Sequence, residues 1–285
     1  MELFYKIVLA IIIIIVVKIV VDYNHTETFG NLTSPKIVSA DNNYFSKFYH
    51  SNLTNNLFDN NKISNVNFSD SINLGKKNIL IITFDNRQGE EYVKIHNKNI
   101  KKYVEKYGYE YKFYTKCNKN VYWCKVHMVL DALKTGQYDY VMWMDSDTII
   151  KNFSIDIGNV INKYSSDIYI GSDNNDKYDI TNSGVFIIKN SNIGKNFLID
   201  CLNKVNKDCI NEDGTLNGRW AASCYEQGIM NLMIADKYSS NTTVLTNDII
   251  FNYNVCSDDV FIMHLYASAS DYRVGCFNSS NPAIK

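Results

Sequence analysis

Two aspartates one residue apart, Asp145 and Asp147, directly follow the apolar run 141–144. An uninterrupted apolar run is typical of a strand buried in a parallel sheet, and such sheets bind ligands at the carboxyl ends of their strands. Because residues i and i+2 of an extended chain face the same way, both carboxylates can converge on one hard cation. This spacing suits an enzyme that holds a divalent ion against a diphosphate, and the alternative is a solvated strand end.

A third metal ligand is expected from His264, which closes the apolar run 260–263 much as Asp145 closes its own run. The chain has five histidines, and His96 and His127 fall within helical patterns where a packing role is the simpler interpretation. Imidazole and carboxylate groups together suit a divalent cation. We therefore predict one metal site formed by Asp145, Asp147 and His264, with two strand ends meeting at one face of a sheet.

A diphosphate also needs cationic or amide donors, and several residues could supply them. Lys125 and Arg273 are the candidate cations, and Asn182 directly precedes a predicted strand, where its amide could meet a ligand. Glu226 and Gln227 open a predicted helix, where a carboxylate is also favourable to the helix dipole. The alternatives for these residues are solvated charges, a turn and a helix start.

Length, charge and cysteine content narrow the class of protein. The chain of 285 residues can hold one large domain with additional segments, and its net charge of -1 gives no basic field for nucleic acid. Seven cysteines without a Cys-x-x-Cys pair indicate some disulfides in an oxidising compartment, and their odd number leaves at least one unpaired. Several Asn-x-Ser/Thr sequences agree with a lumenal location.

The sequence divides into three parts. Residues 1–21 contain an apolar stretch that reaches about 28 Å as a helix, close to the thickness of a bilayer core. No small-residue cleavage site follows, so we predict an uncleaved type II signal anchor, with a signal peptide as the alternative. Residues 22–75, rich in Asn and Ser, are predicted to form a largely irregular stem. Residues 76–285 form the folded domain, which this topology places in the lumen.

The folded domain alternates strand and helix patterns. Besides the run that ends at Asp145, strands are predicted over 78–84, 109–114, 167–171, 184–188 and 260–265. Helices are predicted over 88–107, 122–134, 193–205 and 225–234. This alternation predicts an α/β fold with a mostly parallel central sheet and right-handed crossovers.

The segment 122–150, which carries Trp123, Lys125 and then Trp143 to Asp147, resembles the donor-site signature of glycosyltransferase family 34. That family contains fungal galactosyl- and mannosyltransferases and plant xyloglucan xylosyltransferases. The similarity covers about 76 to 278 and includes the motifs 182–186, 226–227, His264 and 275–276. One departure is that ten residues separate His264 from Gly275, where the family usually has His-Phe-x-Gly-Cys and then a lysine.

The resemblance implies a GT-A, Rossmann-like fold behind a type II membrane anchor in the Golgi or endoplasmic reticulum. It implies a nucleotide-sugar donor of the UDP-galactose, UDP-xylose or GDP-mannose type and an oligosaccharide or glycoprotein acceptor. It also implies transfer of a hexose or pentose with retention of anomeric configuration and with Mn²⁺ or another divalent ion such as Mg²⁺. A homo-oligomer is compatible with the sequence.

Carried over by position, the resemblance gives each candidate residue a role. Asp145, Asp147 and His264 would hold the ion together with the diphosphate and ribose of the donor. Asn182, Glu226 and Gln227 would lie on the sugar and acceptor side, with Gln227 near the anomeric carbon. The candidate donor-binding residues are Thr83, Asp85, Lys125, Asp145, Ser146 and Arg273, of which Asp85 would contact the base or ribose and Arg273 would replace the family's lysine.

Two other classes of protein remain open. A strand followed by Asp-x-Asp-x-Thr resembles the first motif of haloacid-dehalogenase-like phosphatases, with Asp145 as nucleophile and Asp147 as general acid. Ser172, a following lysine and Asp258 with Asp259 would then fill the remaining roles, although that motif normally lies on the first strand of its domain. The third class is a catalytically silent glycan-binding protein with the GT-A fold.

Overall fold

The computed structural model describes residues 77–173, 181–211, 215–217 and 222–279. The predicted anchor (1–21) and stem (22–75) lie outside the described residues. Among the residues that are described, no helix is both long enough and apolar enough to cross a membrane.

The described domain alternates strands and helices largely where the sequence predicts them. In chain order the elements are β1 (Ile79–Phe84), α1 (Glu91–Tyr107), β2 (Glu110–Tyr114), α2 (Cys124–Lys134), β3 (Tyr140–Met144), β4 (Thr148–Ile150), α3 (Ile157–Tyr164), β5 (Ile168–Ser172), β6 (Thr181–Lys189), α4 (Asn192–Asn203), α5 (Glu226–Met233), β7 (Thr242–Leu245), β8 (Ile250–Asn252), β9 (Ile262–His264) and α6 (Ser270–Ser279). The predicted end of α1 is confirmed, because Gly108 takes the left-handed conformation, with φ of 67°, and its N–H donates to the carbonyl of Val104.

Six strands form the central sheet in the order β2-β1-β3-β6-β5-β7. The pairs β1–β2, β1–β3 and β5–β7 are parallel, whereas β6 is antiparallel to both β3 and β5. Five of the six strands therefore run in one direction, and the predicted mostly parallel sheet is confirmed with one reversed strand. Their carboxyl ends, including that of β3 just before Asp145, lie at one edge of the sheet.

Hydrophobic side chains cover both faces of this sheet. Leu80 and Ile82 of β1 point into a core formed with α2, α4 and α5, whereas Ile79 and Ile81 point into a second core formed with α1 and α3. This alternation follows from the two-residue period of a strand and explains why β3 is hydrophobic throughout and β1 is apolar at every position except Thr83. The rigid sheet holds the carboxyl end of β3 in place.

A separate three-stranded sheet, β4-β9-β8, corrects one prediction. We expected His264 to close a strand that meets the end of β3 at one sheet. Instead, the chain turns after Asp147 into β4, and β9 pairs antiparallel with β4 so that His264 lies opposite Thr148. The short strands β4, β7 and β8 and the helices α3 and α6 were not predicted.

Three disulfides join loops around the sheet: Cys117–Cys124, Cys209–Cys224 and Cys256–Cys276. The seventh cysteine, Cys201, is buried and forms no disulfide. The prediction that some cysteines pair and at least one does not is confirmed.

Candidate active site

The side chains of Asp145, Asp147 and His264 converge beyond the carboxyl end of β3. One ligand atom from each lies within 4.8 Å of the others. Hydrogen bonds fix the turn that presents the two aspartates: the N–H of Asp145 donates to the carbonyl of Gly184 at 2.8 Å, and Thr148 Oγ1 donates to the carbonyl of Asp145 at 2.7 Å. The antiparallel pairing of β4 with β9 then brings in His264.

The ring orientation of His264 suits a metal ligand. Its Nδ1 lies 2.8 Å from Asn252 Oδ1, and Asn252 Nδ2 donates to the carbonyl of Ser172 at 2.8 Å. Because the amide is held with its oxygen towards the ring, Nδ1 carries the proton and Nε2, 3.2 Å from Asp147 Oδ1, has a lone pair available for a cation. Sequence reasoning missed the fully buried Asn252, which lies on the unpredicted strand β8.

Gly184 on β6 leaves the space that the His264 ring fills. A Cβ added to this glycine would lie 2.6 Å from Nδ1 and 2.7 Å from Nε2 of the ring. Carbon and nitrogen atoms that are not bonded do not approach so closely, so the position of His264 requires glycine here. The segment Asn182-Ser183-Gly184, which lies inside β6 and not in a turn before it, therefore contributes to the candidate metal site because Gly184 has no side chain.

Arg273 reaches the same group from α6. Its NH2 donates to Asp147 Oδ2 at 2.9 Å, and its Nε donates to the carbonyl of Leu265 at 3.0 Å. Burial by itself would raise the pKa of Asp147, but the positive charge of His264, when its ring is protonated, and that of Arg273 outweigh burial and lower that pKa. Asp147 is thus ionised at neutral pH, and the predicted cation Arg273 lies beside it although ten residues separate His264 from Gly275.

Lys125 on α2 joins Asp145 to the residues of α5. Its Nζ lies 3.1 Å from Asp145 Oδ1 and 3.1 Å from Glu226 Oε1, and donates to the carbonyl of Ser183 at 3.3 Å. Burial alone would lower the pKa of Lys125, but the two carboxylates raise it above its ordinary value, so the ammonium group stays charged. The indole of Trp143 also donates to Asp145 Oδ1 at 2.6 Å, a contact that the sequence did not predict.

The three candidate catalytic residues, Asn182, Glu226 and Gln227, are buried and tie β6 to α5 and its surroundings. Gln227 Oε1 accepts from the N–H of Ser183 at 3.0 Å, and Glu226 Oε1 accepts from Ser183 Oγ at 3.0 Å. Asn182 Oδ1 accepts from the N–H of Gly184 at 2.8 Å, and its Nδ2 donates to Asp173 at 3.1 Å. These contacts stabilise the local fold.

One oxygen of this network has no protein partner. Glu226 Oε2 is buried and makes no hydrogen bond within the part of the chain that the structure describes. A buried carboxylate oxygen without a donor is costly, so this oxygen is available to a hydroxyl group of a ligand. Gln227 Oε1 also keeps one lone pair after its bond with Ser183.

A second polar group lies beyond β1. Asp85 accepts from Arg87 Nε at 3.1 Å and NH2 at 2.9 Å, and Ser146 Oγ also donates to it. Burial would raise the pKa of Asp85, but the Arg87 and Ser146 hydrogen bonds outweigh it and lower that pKa. Arg87 is 59% exposed, so this pair borders the solvent beside Ser146 and the metal ligands.

Near Asp85, the position of Thr83 and the contacts of Tyr92 differ from what the sequence predicted. Thr83 is fully buried and its Oγ1 lies 3.0 Å from His96 Nε2, so its predicted role as a nucleotide contact does not fit its position. Tyr92 on α1, which sequence reasoning missed, has the guanidinium carbon of Arg273 5.0 Å and that of Arg87 5.8 Å from its ring centroid. Two cations thus flank one aromatic ring next to Asp85 and Asp147.

The residues proposed for the phosphatase alternative are engaged elsewhere. Asp145 is bound by Lys125 and by the Trp143 indole, which leaves it poorly placed as a nucleophile. Ser172 Oγ donates to Asn247 at 3.2 Å, and Asp258 pairs with Lys151 at 2.7 Å. Among the described residues, Ser172 and Asp258 are therefore held by partners other than Asp145 and Asp147.

Two carboxylates and one oriented imidazole form a donor set that fits a hard or borderline divalent cation. An α/β domain that places such a group and several cations at the carboxyl edge of its sheet has the features of a nucleotide-diphosphate-binding domain. The family model described as nucleotide-diphospho-sugar transferase matches residues 75–277, and the chain belongs to this family. No curated protein matches this chain.

Two solved structures of glycosyltransferases are similar to this chain. One is a glycosyltransferase involved in the glycosylation of the major capsid of PBCV-1, with a TM-score of 0.55 and 12% identity over 71% of this chain and 99% of that chain. Another is the glycosyltransferase GlyE of Streptococcus pneumoniae TIGR4, with a TM-score of 0.47 and 12% identity over 72% of this chain and 61% of that chain. The first similarity supports the expected GT-A-like α/β fold, and the family match supports a glycosyltransferase.

Proposed function

We propose that this protein is a metal-dependent, retaining glycosyltransferase that moves a hexose or pentose from a nucleotide sugar to a glycan acceptor. The observation that carries the proposal is the Asp145–Asp147–His264 group, in which Asn252 directs the lone pair of His264 towards the two aspartates. We propose Mn²⁺, with Mg²⁺ as the alternative, because carboxylate and imidazole ligands suit both hard and borderline ions.

The charges around this group favour binding of the diphosphate together with a cation. Lys125 and Arg273 face three carboxylates, those of Asp145, Asp147 and Glu226, so these five side chains together carry a net negative charge. A divalent ion would reverse that sign and place positive charge against the leaving diphosphate. Arg273 and Arg87, on either side of Tyr92, would add guanidinium donors to the phosphate and ribose.

The residues of α5 fit a role on the sugar side of the donor. Glu226 Oε2 would accept a hydroxyl of the transferred sugar, which removes the cost of leaving that oxygen unpaired. Gln227 would direct its remaining lone pair towards the positive charge that develops at the anomeric carbon. Ser183 would hold both residues in position through the two bonds that join β6 to α5, and Asn182 would support this strand through its bonds with Gly184 and Asp173.

Within the wider family, the order of motifs along the chain favours glycosyltransferase family 34 and a donor of the UDP-galactose, UDP-xylose or GDP-mannose type. We further propose a type II protein of the Golgi or endoplasmic reticulum membrane. Support comes from the apolar N-terminal segment and from three disulfides, which persist in oxidising compartments.

The test is incubation of the purified full-length protein with Mn²⁺ and a panel of UDP- and GDP-sugars. A transferase should slowly release sugar from one of these donors, and a chelator should stop the release. Cleavage of a simple phosphomonoester without cleavage of any nucleotide sugar would favour the phosphatase alternative. No turnover of either substrate class would favour the silent glycan-binding protein.

A further inference from the structure

Two tyrosines at the carboxyl edge of the sheet are not used by the proposed chemistry. The rings of Tyr122 and Tyr225 meet edge to face, with centroids 4.9 Å apart and planes at 68°. Both are half-buried, and they precede the first turns of α2 and α5. Tyr225 is the neighbour of Glu226, and Tyr122 comes three residues before Lys125, so the pair borders the Lys125–Glu226 ion pair.

The two loops that carry these tyrosines are held rigidly. Cys124, two residues after Tyr122, is joined to Cys117, and Cys224, next to Tyr225, is joined to Cys209. The indole of the buried Trp123 donates to the carbonyl of Cys224 at 3.3 Å, which links one loop to the other. A surface fixed in this way is preorganised, so the binding of a ligand costs the protein little conformational entropy.

The contacts also place this pair beside the ion pair that links the metal ligands to α5. Asp145 contacts Lys125, Lys125 contacts Glu226, and Tyr225 directly precedes Glu226. Burial, Tyr225 and Glu226 raise the pKa of the Tyr122 hydroxyl while Arg87 lowers it, in agreement with a position close to that carboxylate. If the diphosphate binds at the ion, the donor sugar lies near Glu226 and the next space outward is bounded by the two rings.

We propose that Tyr122 and Tyr225 form the binding platform for a pyranose ring of the acceptor glycan. The C–H face of a pyranose is apolar and slightly positive, and it complements the electron-rich face of an aromatic ring. A tyrosine ring supplies this contact area at a low cost in side-chain entropy. This assignment rests on the proposed glycosyl transfer and adds the acceptor side to it.

The test uses full-length protein, methyl glycopyranosides as probes and two readouts. Saturation-transfer NMR measures binding of methyl galactoside, glucoside, mannoside and xyloside, and a second assay measures hydrolysis of the donor by water. Tyr122→Leu and Tyr225→Leu keep an apolar side chain but remove the ring, whereas Tyr122→Phe and Tyr225→Phe keep the ring. Tyr164→Leu is the matched control, because Tyr164 ends α3 just before β5 begins, at the opposite edge of the sheet.

The leucine variants should bind the preferred glycoside about tenfold more weakly, which corresponds to about 1.4 kcal/mol. The phenylalanine variants and Tyr164→Leu should bind it like the unaltered protein, and Tyr164→Leu should also hydrolyse the donor at the original rate. Unchanged glycoside binding in the leucine variants, or no binding of any glycoside by a protein that hydrolyses its donor, would overturn the platform. Failure of the unaltered protein to hydrolyse any nucleotide sugar would instead count against the proposed function, while NMR still measures the platform.

Discussion

Gly184→Ala should disable the candidate metal site although it replaces none of the three ligand residues. The new Cβ would lie 2.6 Å from His264 Nδ1 and 2.7 Å from Nε2. Ordinary contact distances are about 3.5 Å, and the ring carbon Cε1 lies closer to the added Cβ than either nitrogen, so the ring has to move by more than about 1 Å. Metal–ligand distances tolerate deviations of only about 0.2 Å, and therefore His264 cannot remain a ligand in its present position.

The size of the effect follows from what the ring loses when it moves. Displacement breaks the bond between His264 Nδ1 and Asn252, and loss of such supporting contacts typically lowers metal affinity about 10- to 100-fold. We expect at least this loss in Mn²⁺ affinity, together with about 1–3 kcal/mol lower stability from overpacking.

Calorimetric titration of the full-length protein with Mn²⁺ measures the affinity, and thermal melting measures the stability. Gly89→Ala is the control, because a Cβ at Gly89 has no atom within 4 Å, and this variant should bind Mn²⁺ normally. Native Mn²⁺ affinity in Gly184→Ala, with the variant folded, would refute the assignment of His264 as a ligand.

Three further predictions concern the chemistry, the pH dependence of stability and the topology. Gln227→Ala should lower kcat on the order of a hundredfold and affect the donor KM less, because its interaction grows as charge develops; native kcat with a lower melting temperature would show that Gln227 only ties α5 to Ser183. Burial lowers the pKa of His96 from 6.5 to about 4, so the unfolded chain takes up a proton between these values that the folded chain does not. The stability of the folded protein should therefore be complete above pH 6.5 and fall by about 3 kcal/mol towards pH 4, at about 1.4 kcal/mol per pH unit. Urea unfolding at pH 6.5 and pH 4 should show that the stability of His96→Gln depends less on pH than the stability of the unaltered protein. An equal dependence of stability on pH in the two proteins would contradict this prediction. In intact microsomes the domain from residue 76 should be protected from added protease until detergent is present, and digestion without detergent would contradict the predicted topology.

The sequence predicted those features that depend on local patterns. The buried strand β3 and its two aspartates were evident because an apolar run ends abruptly in carboxylates, and α1 ended at Gly108 because glycine readily adopts the left-handed conformation. The aspartate pair was identified as metal ligands by its spacing after this run, and Arg273 was identified as a cation for the diphosphate by its residue type.

Features that depend on distant parts of the chain were missed. The strands β4 and β8 have three residues each, which is too short for a two-residue period to be recognised. Asn252 was therefore overlooked, although it orients His264. The helix α6 was also missed, because only Cys276 and Phe277 among its residues are buried and the segment lacks an apolar stripe.

The most direct test of the account is whether nucleotide diphosphate binding requires a divalent ion at Asp147. Calorimetric titration of UDP and of GDP into the full-length protein should show binding of one of them with Mn²⁺ and none after treatment with a chelator. Asp147→Asn, which keeps the shape of the side chain but removes its charge, should lose this Mn²⁺-dependent binding and retain its fold. Equally tight binding of the nucleotide with and without Mn²⁺, or by Asp147→Asn, would contradict the proposed metal-dependent donor site.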